Sequence, residues 1–202
     1  MALTGDTEKA PMPLSLLDES TNEPLIQTWF ELVHLKQLFR KGWLDRGVEP
    51  GHCETVAEHT FGNAVLCLLL LSQHPELDAE KVLRMALIHD LGEAYVGDIT
   101  PSDNIPKSVK TDQEHAALQR ILGKLPNGAD LIETWLEYEQ QSSSEAKFVK
   151  HMDRLELALQ AAVYEHQGLI DGKEFYQAVL PQLPPELAGL VQSLVDRGSP
   201  ER

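Results

Sequence analysis

One stretch constrains the fold more than any other: Glu145 to Tyr164, EAKFVKHMDRLELALQAAVY. Phe148, Val149, Met152, Leu155, Leu157, Leu159 and Ala162 mark the buried side of a helix. Asp153 lies on that side, four residues after Val149 and four before Leu157. A carboxylate held there must replace its lost water with something positive or hydrogen-bonding. A metal ion, an arginine or a set of helix-terminal amides would each serve. The stretch therefore demands a helical partner for its apolar face and a polar counterpart for one carboxylate.

The rest of the chain reads as further helices. Asn22 can cap one over 23–39, with Pro24 tolerated in the first turn. Leu25, Trp29, Leu32 and Val33 form its apolar stripe. Arg40 to Glu54, with three glycines and one proline, reads as a loop. Thr55 and Glu58 form a capping box opening a helix to about Ser72. Asp78 caps another over 79–91, after which Gly92 and Gly97 bracket a short piece. Helices follow over 107–125, 129–140 and 142–166, the last opening on a capping-box pattern at Ser142 and Glu145. Two weaker ones span 173–179 and 186–195. No alternating β pattern of useful length appears, so the expected class is all-α. A chain of 202 residues suits one domain. The expected division is a flexible segment over 1–22, the helical domain over 23–168, and a helical extension over 169–202 packed on it.

Charge and composition narrow the partners. The chain has 17 basic and 32 acidic residues, a formal net charge of -15. Such a surface repels a nucleic-acid backbone. The densest basic stretch, Lys36 to Lys41, holds only three cations. The apolar run Ala64 to Leu71 has eight residues, against about 20 for a membrane span. Cys53 and Cys67 make no disulfide scaffold. The start MALTGDTEKAPM has no basic-then-apolar leader, so the cytoplasm is the expected compartment. A small anionic substrate stays compatible, because a bound cation can outweigh net charge.

Three residues join Asp153 as candidate ligands. His89 and Asp90 close an apolar helix in which Val82, Met85 and Ala86 stack toward His89. A lone histidine there is ordinarily a satisfied core residue. An adjacent Asp at the helix end lets both converge on one ion beside the backbone. His59 lies early in the second helix. Two imidazoles with two carboxylates suit Zn, Fe, Co, Ni or Mn more than Ca. Two carboxylates also balance one dication and leave a position for water or a phosphate oxygen. Glu93, in the turn after His89-Asp90, can orient or deprotonate water or protonate a leaving oxygen; its alternative reading is a solvated acid on a helix end, poorly placed against the dipole. Asp98 is a second acid/base or a turn cap. Arg40 fits a phosphate. Trp43 stacks on a sugar or base or plugs the loop against the core, and taken alone the plug is favoured. Glu114 and His115 read as a surface pair.

The order His59, His89-Asp90, Asp153 resembles the HD-domain metal-dependent phosphohydrolases, and the fuller text resembles their 5'-deoxynucleotidase branch. The shared blocks are RKGW at 40–43, ETVAEHT at 54–60, ALIHDLGEAYVGDITP at 86–101 and EAKFVKHMDRLE at 145–156. The resemblance spans roughly residues 24 to 168. It implies a single HD-domain helical bundle and a homodimer. It implies one divalent ion (Co, Mn, Mg, Fe, Ni or Zn) on His59, His89, Asp90 and Asp153. The implied reaction takes deoxyribonucleoside 5'-monophosphates to deoxyribonucleosides and orthophosphate. The resemblance also implies acid/base or water-orienting work at Glu93, Asp98 close to the substrate, and Arg40, Lys41 and Trp43 as phosphate and sugar contacts. Lys41 and Gly42 stand between Arg40 and Trp43 here, where the bacterial pattern has an Arg-Trp pair. Two alternatives stand beside this reading. One is an HD phosphohydrolase acting on a triphosphate, cyclic nucleotide or alarmone; the other is a non-catalytic helical protein with a structural metal.

Overall fold

The computed structural model describes residues 7–12 and 23–196. Expectations for the remainder of 1–22 and for 197–202 lie outside the described residues. Among the described residues the chain is all helix and turn, with ten α-helices and no strand. They are α1 (Pro24–Leu32), α2 (Lys41–Leu44), α3 (Val56–Leu70), α4 (Ala79–Ile88), α5 (Glu93–Val96), α6 (Lys107–Leu122), α7 (Gly128–Gln140), α8 (Ser144–His166), α9 (Lys173–Val179) and α10 (Pro185–Asp196). The all-α expectation holds.

Local chemistry starts most of these helices where the sequence signals. Thr55 accepts from the Glu58 amide while Glu58 accepts from the Thr55 amide at 2.7 Å, so the α3 box is complete. Asp78 accepts from the Lys81 amide at 3.1 Å and opens α4. The box expected at Ser142 and Glu145 moves by one residue. Gln141 ends α7 in the left-handed region at φ 52, and Ser143 becomes the cap, accepting from the Ala146 amide at 3.1 Å. Glu145 instead accepts from the Asp78 amide at 3.2 Å, tying the starts of α8 and α4 together.

The first helix departs from its expected form. It breaks at Leu32 into a 3-10 turn over Val33–Lys36, and a short α2 forms inside the expected loop. The apolar side chains Leu25, Ile26 and Trp29 are exposed, while Thr28 and Glu31 are buried. The reason is a polar seam with α6. Thr28 donates to the Ile121 carbonyl at 2.9 Å, and Glu31 pairs with Lys124 and accepts from the Tyr95 hydroxyl at 2.7 Å. Near the N-terminus, the Lys9 amide donates to the Gln37 carbonyl at 2.7 Å and the Phe39 amide to the Thr7 carbonyl at 3.0 Å.

Helices α3, α4, α7 and α8 pack on one another and divide the core in two. One cluster joins Cys67, Val82, Met85, Ala86, Met152 and Leu155 to Phe175, Tyr176, Val179 and Val191, so the C-terminal helices complete the core. The other joins Val56, Ile88 and Leu91 to Leu118, Ile121 and Trp135. His59 lies between Val56 and Cys67 on α3, and His89 follows Ala86 and Ile88 at the end of α4. The polar residues thus gather at the seam between two apolar clusters, where neither offers water.

Candidate metal centre

His59 comes from the first turns of α3 and is fully buried. Its Nδ1–H donates to the Glu156 carboxylate at 2.6 Å. Its Nε2 lies 3.3 Å from Asp153 Oδ1 and 3.5 Å from Asp90 Oδ2 yet makes no hydrogen bond. His89 ends α4 and donates from Nδ1 to the Ala86 carbonyl at 2.8 Å, which turns its Nε2 toward Asp90 Oδ2, 3.2 Å away. The Trp135 indole N–H donates to the His89 carbonyl at 3.0 Å and steadies this helix end. Asp153 is buried, and its Oδ2 accepts from Lys150 at 2.8 Å. Asp153 thus faces His59 rather than solvent.

Electrostatics and geometry agree. Burial alone would raise Asp90 and Asp153. The neighbouring imidazoles, with Arg40 near Asp90 and Lys150 near Asp153, reverse this and hold both carboxylates well below the usual range. Burial and Arg40 would lower His59, but the carboxylates of Asp153 and Glu156 outweigh them and push it up to about 10. A centre that draws a proton onto a buried, partnerless nitrogen has the charge balance to draw a metal cation. Each imidazole has one nitrogen fixed by a partner and the other aimed at the carboxylates, the arrangement that metal-binding histidines use. His59, His89 and Asp90 offer ligand atoms within 4.8 Å of one another and fit one divalent ion, with Asp153 beside them at 3.3 Å from His59.

Glu93 opens α5 and is 1% exposed. A Cβ at Gly92 would stand 3.0 Å from the Glu114 backbone, so glycine lets α5 approach α6 closely. Glu93 Oε1 is 3.8 Å from the Lys110 ammonium and Oε2 has no hydrogen-bond partner. Burial, then the charges of Asp90 and Asp98, push this carboxyl well above its ordinary value. Asp98 accepts from Arg40 at 3.0 Å and from the Lys41 amide at 2.6 Å. The Lys41 ammonium turns away, to Asp45 at 2.8 Å and Asp103 at 3.1 Å. Trp43 is 1% exposed; its indole N–H donates to Glu54 at 2.7 Å, and its ring packs on Tyr164 and Phe175. The core plug describes its packing, with an edge left on the cleft wall.

Asp90, Glu93, Asp98, Asp153, Arg40 and Trp43 share one cleft of about 330 Å³. Arg46, Lys110, Lys150 and Arg154 line it too, and sequence reasoning missed all four. It also missed Glu54 and Glu156, behind His59. Glu54 is pushed up to about 7 by burial and by Glu156. The expected surface pair at Glu114 and His115 needs correction. Glu114 is buried against Gly92 and pairs with Lys110 at 3.4 Å, and only His115 is partly open.

Comparison with known proteins bears on this geometry directly. A family model described as HD domain matches residues 32–192, which contain every residue of the centre. The chain belongs to the HD-domain family. Among its HD-domain relatives is the Mus musculus protein named 5'-deoxynucleotidase HDDC2, 40% identical over 165 residues, or 79% of this chain and 81% of that protein. The PH0347 protein from Pyrococcus horikoshii OT3 has the same fold, with a TM-score of 0.71 at 30% identity over 86% of this chain and 99% of that one. A structure titled "Predicted metal-dependent phosphohydrolase" from Magnetospirillum magnetotacticum MS-1 gives a TM-score of 0.67 at 27% identity, over 86% and 93% of the two chains. An HD domain with its His and Asp ligands clustered is a divalent-metal-dependent phosphohydrolase centre. No described helix is long and apolar enough to cross a membrane.

Proposed function

We propose that this HD-domain protein removes the phosphate from deoxyribonucleoside 5'-monophosphates, releasing the deoxyribonucleoside and orthophosphate. One observation carries the reading: the partnerless Nε2 of His59 and the carboxylates of Asp90 and Asp153 meet beside a cleft that also presents Arg40 and Glu93. The name of the mouse relative supports the substrate class.

His59, His89, Asp90 and Asp153 would hold a divalent ion, which would supply Lewis acidity toward phosphoryl oxygens and a lowered pKa for attacking water. Arg40, braced by Asp98, offers paired donors to the phosphate. Burial favours the protonated form of Glu93, and that proton can go to the departing 5'-oxygen as the phosphorus–oxygen bond breaks. The water oxygen forms the new bond to phosphorus, the sugar leaves as an alcohol, and the proton that water loses returns to Glu93. Asp98 serves by orienting Arg40, and Trp43 by shaping the wall. Lys41 contributes through its backbone amide.

The cleft's cations favour a monophosphate over a triphosphate. Of the five cleft cations, Arg40 pairs with Asp98, Lys110 with Glu114 and Arg46 with Glu174, while Lys150 and Arg154 share Asp153 at 2.8 and 3.8 Å, so little unpaired positive charge is left for a longer polyphosphate. A homodimer in the cytoplasm belongs to the same reading. Exposed apolar side chains support the dimer, Leu25 and Trp29 on α1 and Phe61, Leu68 and Leu69 on α3, and light scattering tests it.

The test is a screen of nucleoside mono-, di- and triphosphates with added Co, Mn or Mg. Orthophosphate from deoxyribonucleoside monophosphates is expected, with turnover strongly reduced in Glu93→Ala. Pyrophosphate from triphosphates as the main product would replace this substrate with the alternative one. Unchanged turnover in Glu93→Ala would remove Glu93 from the chemistry.

A further inference from the structure

We propose that Glu156 is a positioning residue of the metal centre, holding His59 with Nε2 toward the ion, and that position 62 is glycine because Glu156 occupies the space a side chain would take. An imidazole gives a metal one nitrogen, and a half-turn of the ring about Cβ–Cγ puts a carbon where each nitrogen stood. Whatever binds the other nitrogen decides which one is offered. For His89 that partner is the Ala86 carbonyl, at 2.8 Å on its own helix. For His59 it is a side chain from another helix, Glu156 at 2.6 Å. His59 therefore depends on how α8 packs against α3.

That packing is specific. His59 and Gly62 are three apart on α3, and Asp153 and Glu156 are three apart on α8, so each pair shares a helix face. A Cβ on Gly62 would lie 2.8 Å from Glu156 Oε1 and 3.2 Å from its Cγ. Any side chain at 62 displaces the carboxylate that holds His59. From behind, Glu54 is tied to the Trp43 indole at 2.7 Å, and its carboxylate comes within 4.8 Å of the facing atoms of His59 and Glu156. Glu54, His59 and Glu156 can also be read as a second ion site. The 2.6 Å separation is a hydrogen-bond length and puts a proton, not an ion, between His59 and Glu156. One helix thus supplies a metal ligand, Asp153, and the carboxylate that aims a second ligand.

The inference rests on the metal centre and not on the choice of substrate. The experiment measures Mn(II) and Co(II) affinity and stoichiometry, by competition with a chelator. It compares wild type with Glu156→Gln, Glu156→Ala, Gly62→Ala and the Gly62→Ala/Glu156→Ala double variant. Wild type is expected to bind one ion per chain, and Glu156→Ala to lose about 10- to 100-fold in affinity. Glu156→Gln should lose less, because its amide oxygen still accepts from Nδ1. Gly62→Ala should weaken binding when Glu156 is present and add nothing once it is gone. A folding failure of Glu156→Ala leaves the comparison of Glu156→Gln with Gly62→Ala, both of which must weaken binding. Unchanged affinity in the Glu156 variants, or a Gly62→Ala loss independent of Glu156, overturns the assignment. Two ions per wild-type chain makes Glu156 a ligand instead. Wild type that binds neither ion removes the metal centre itself, a separate failure.

Discussion

Two of the places where this molecule buries charge do it differently. Under α1, Glu31 is 4% exposed but complete: it pairs with Lys124, accepts from Tyr95 and lies 3.8 Å from Arg120. At the seam of α3, α4 and α8, His59 is fully buried and incomplete, with Nε2 facing two carboxylates and bonded to neither. Buried charge that finds all its partners within the chain serves the fold. Buried charge that leaves an atom waiting serves a ligand, because an unsatisfied group that deep costs stability unless something arrives to meet it.

Four predictions test that contrast, from the largest effect down. Asp153→Asn should drop phosphate release to background while lowering the melting temperature of the metal-free protein only modestly, through the lost pairing with Lys150. A large fall in that temperature would make Asp153 a structural residue like Glu31. Glu31→Gln should do the reverse, costing about 3 kcal/mol in denaturant unfolding while turnover per folded molecule holds. Lost turnover at unchanged stability would erase the distinction. Mn(II) at a hundred times its Kd should stabilise wild type and Glu31→Gln alike by about 2.7 kcal/mol. Thermal shift should find almost none of this in Asp153→Asn.

The smallest effect concerns Glu114, which burial pushes up to about 7 despite Lys110. A carboxyl raised above its unfolded value of 4.5 contributes stability below about 4.5 that is lost as pH rises through about 7. Glu114→Gln removes that loss. It should gain on the order of 1 kcal/mol over wild type at pH 8 and nothing near pH 4. A gain that does not change with pH would assign the effect to packing instead.

The same contrast explains what was legible in the sequence. Asp153 was readable because a carboxylate on an apolar helix face is an anomaly within one helix, and His89-Asp90 because it closes an apolar run. Completeness is not readable that way. Glu31 and Thr28 looked like the wet side of α1 because their partners, Lys124, Tyr95 and the Ile121 carbonyl, lie more than sixty residues away. Lys110, Lys150 and Arg154 have acids within seventeen residues, Glu93, Glu114 and Asp153, so what hid them was not separation but the cleft that the fold builds around them. Glu156 did leave a signal, since its spacing of three from Asp153 shares that residue's face, but the proposed role comes from its hydrogen bond to His59, ninety-seven residues away. The Ser142 box slipped to Ser143 because Gln141 first had to end α7 in the left-handed region.

Counting ions settles the matter most directly. Elemental analysis of protein equilibrated with Mn(II) and freed of excess should find one ion per chain in wild type and almost none in Asp153→Ala. Full occupancy in Asp153→Ala would mean that the imidazoles and carboxylates at the seam are not gathered around a cation.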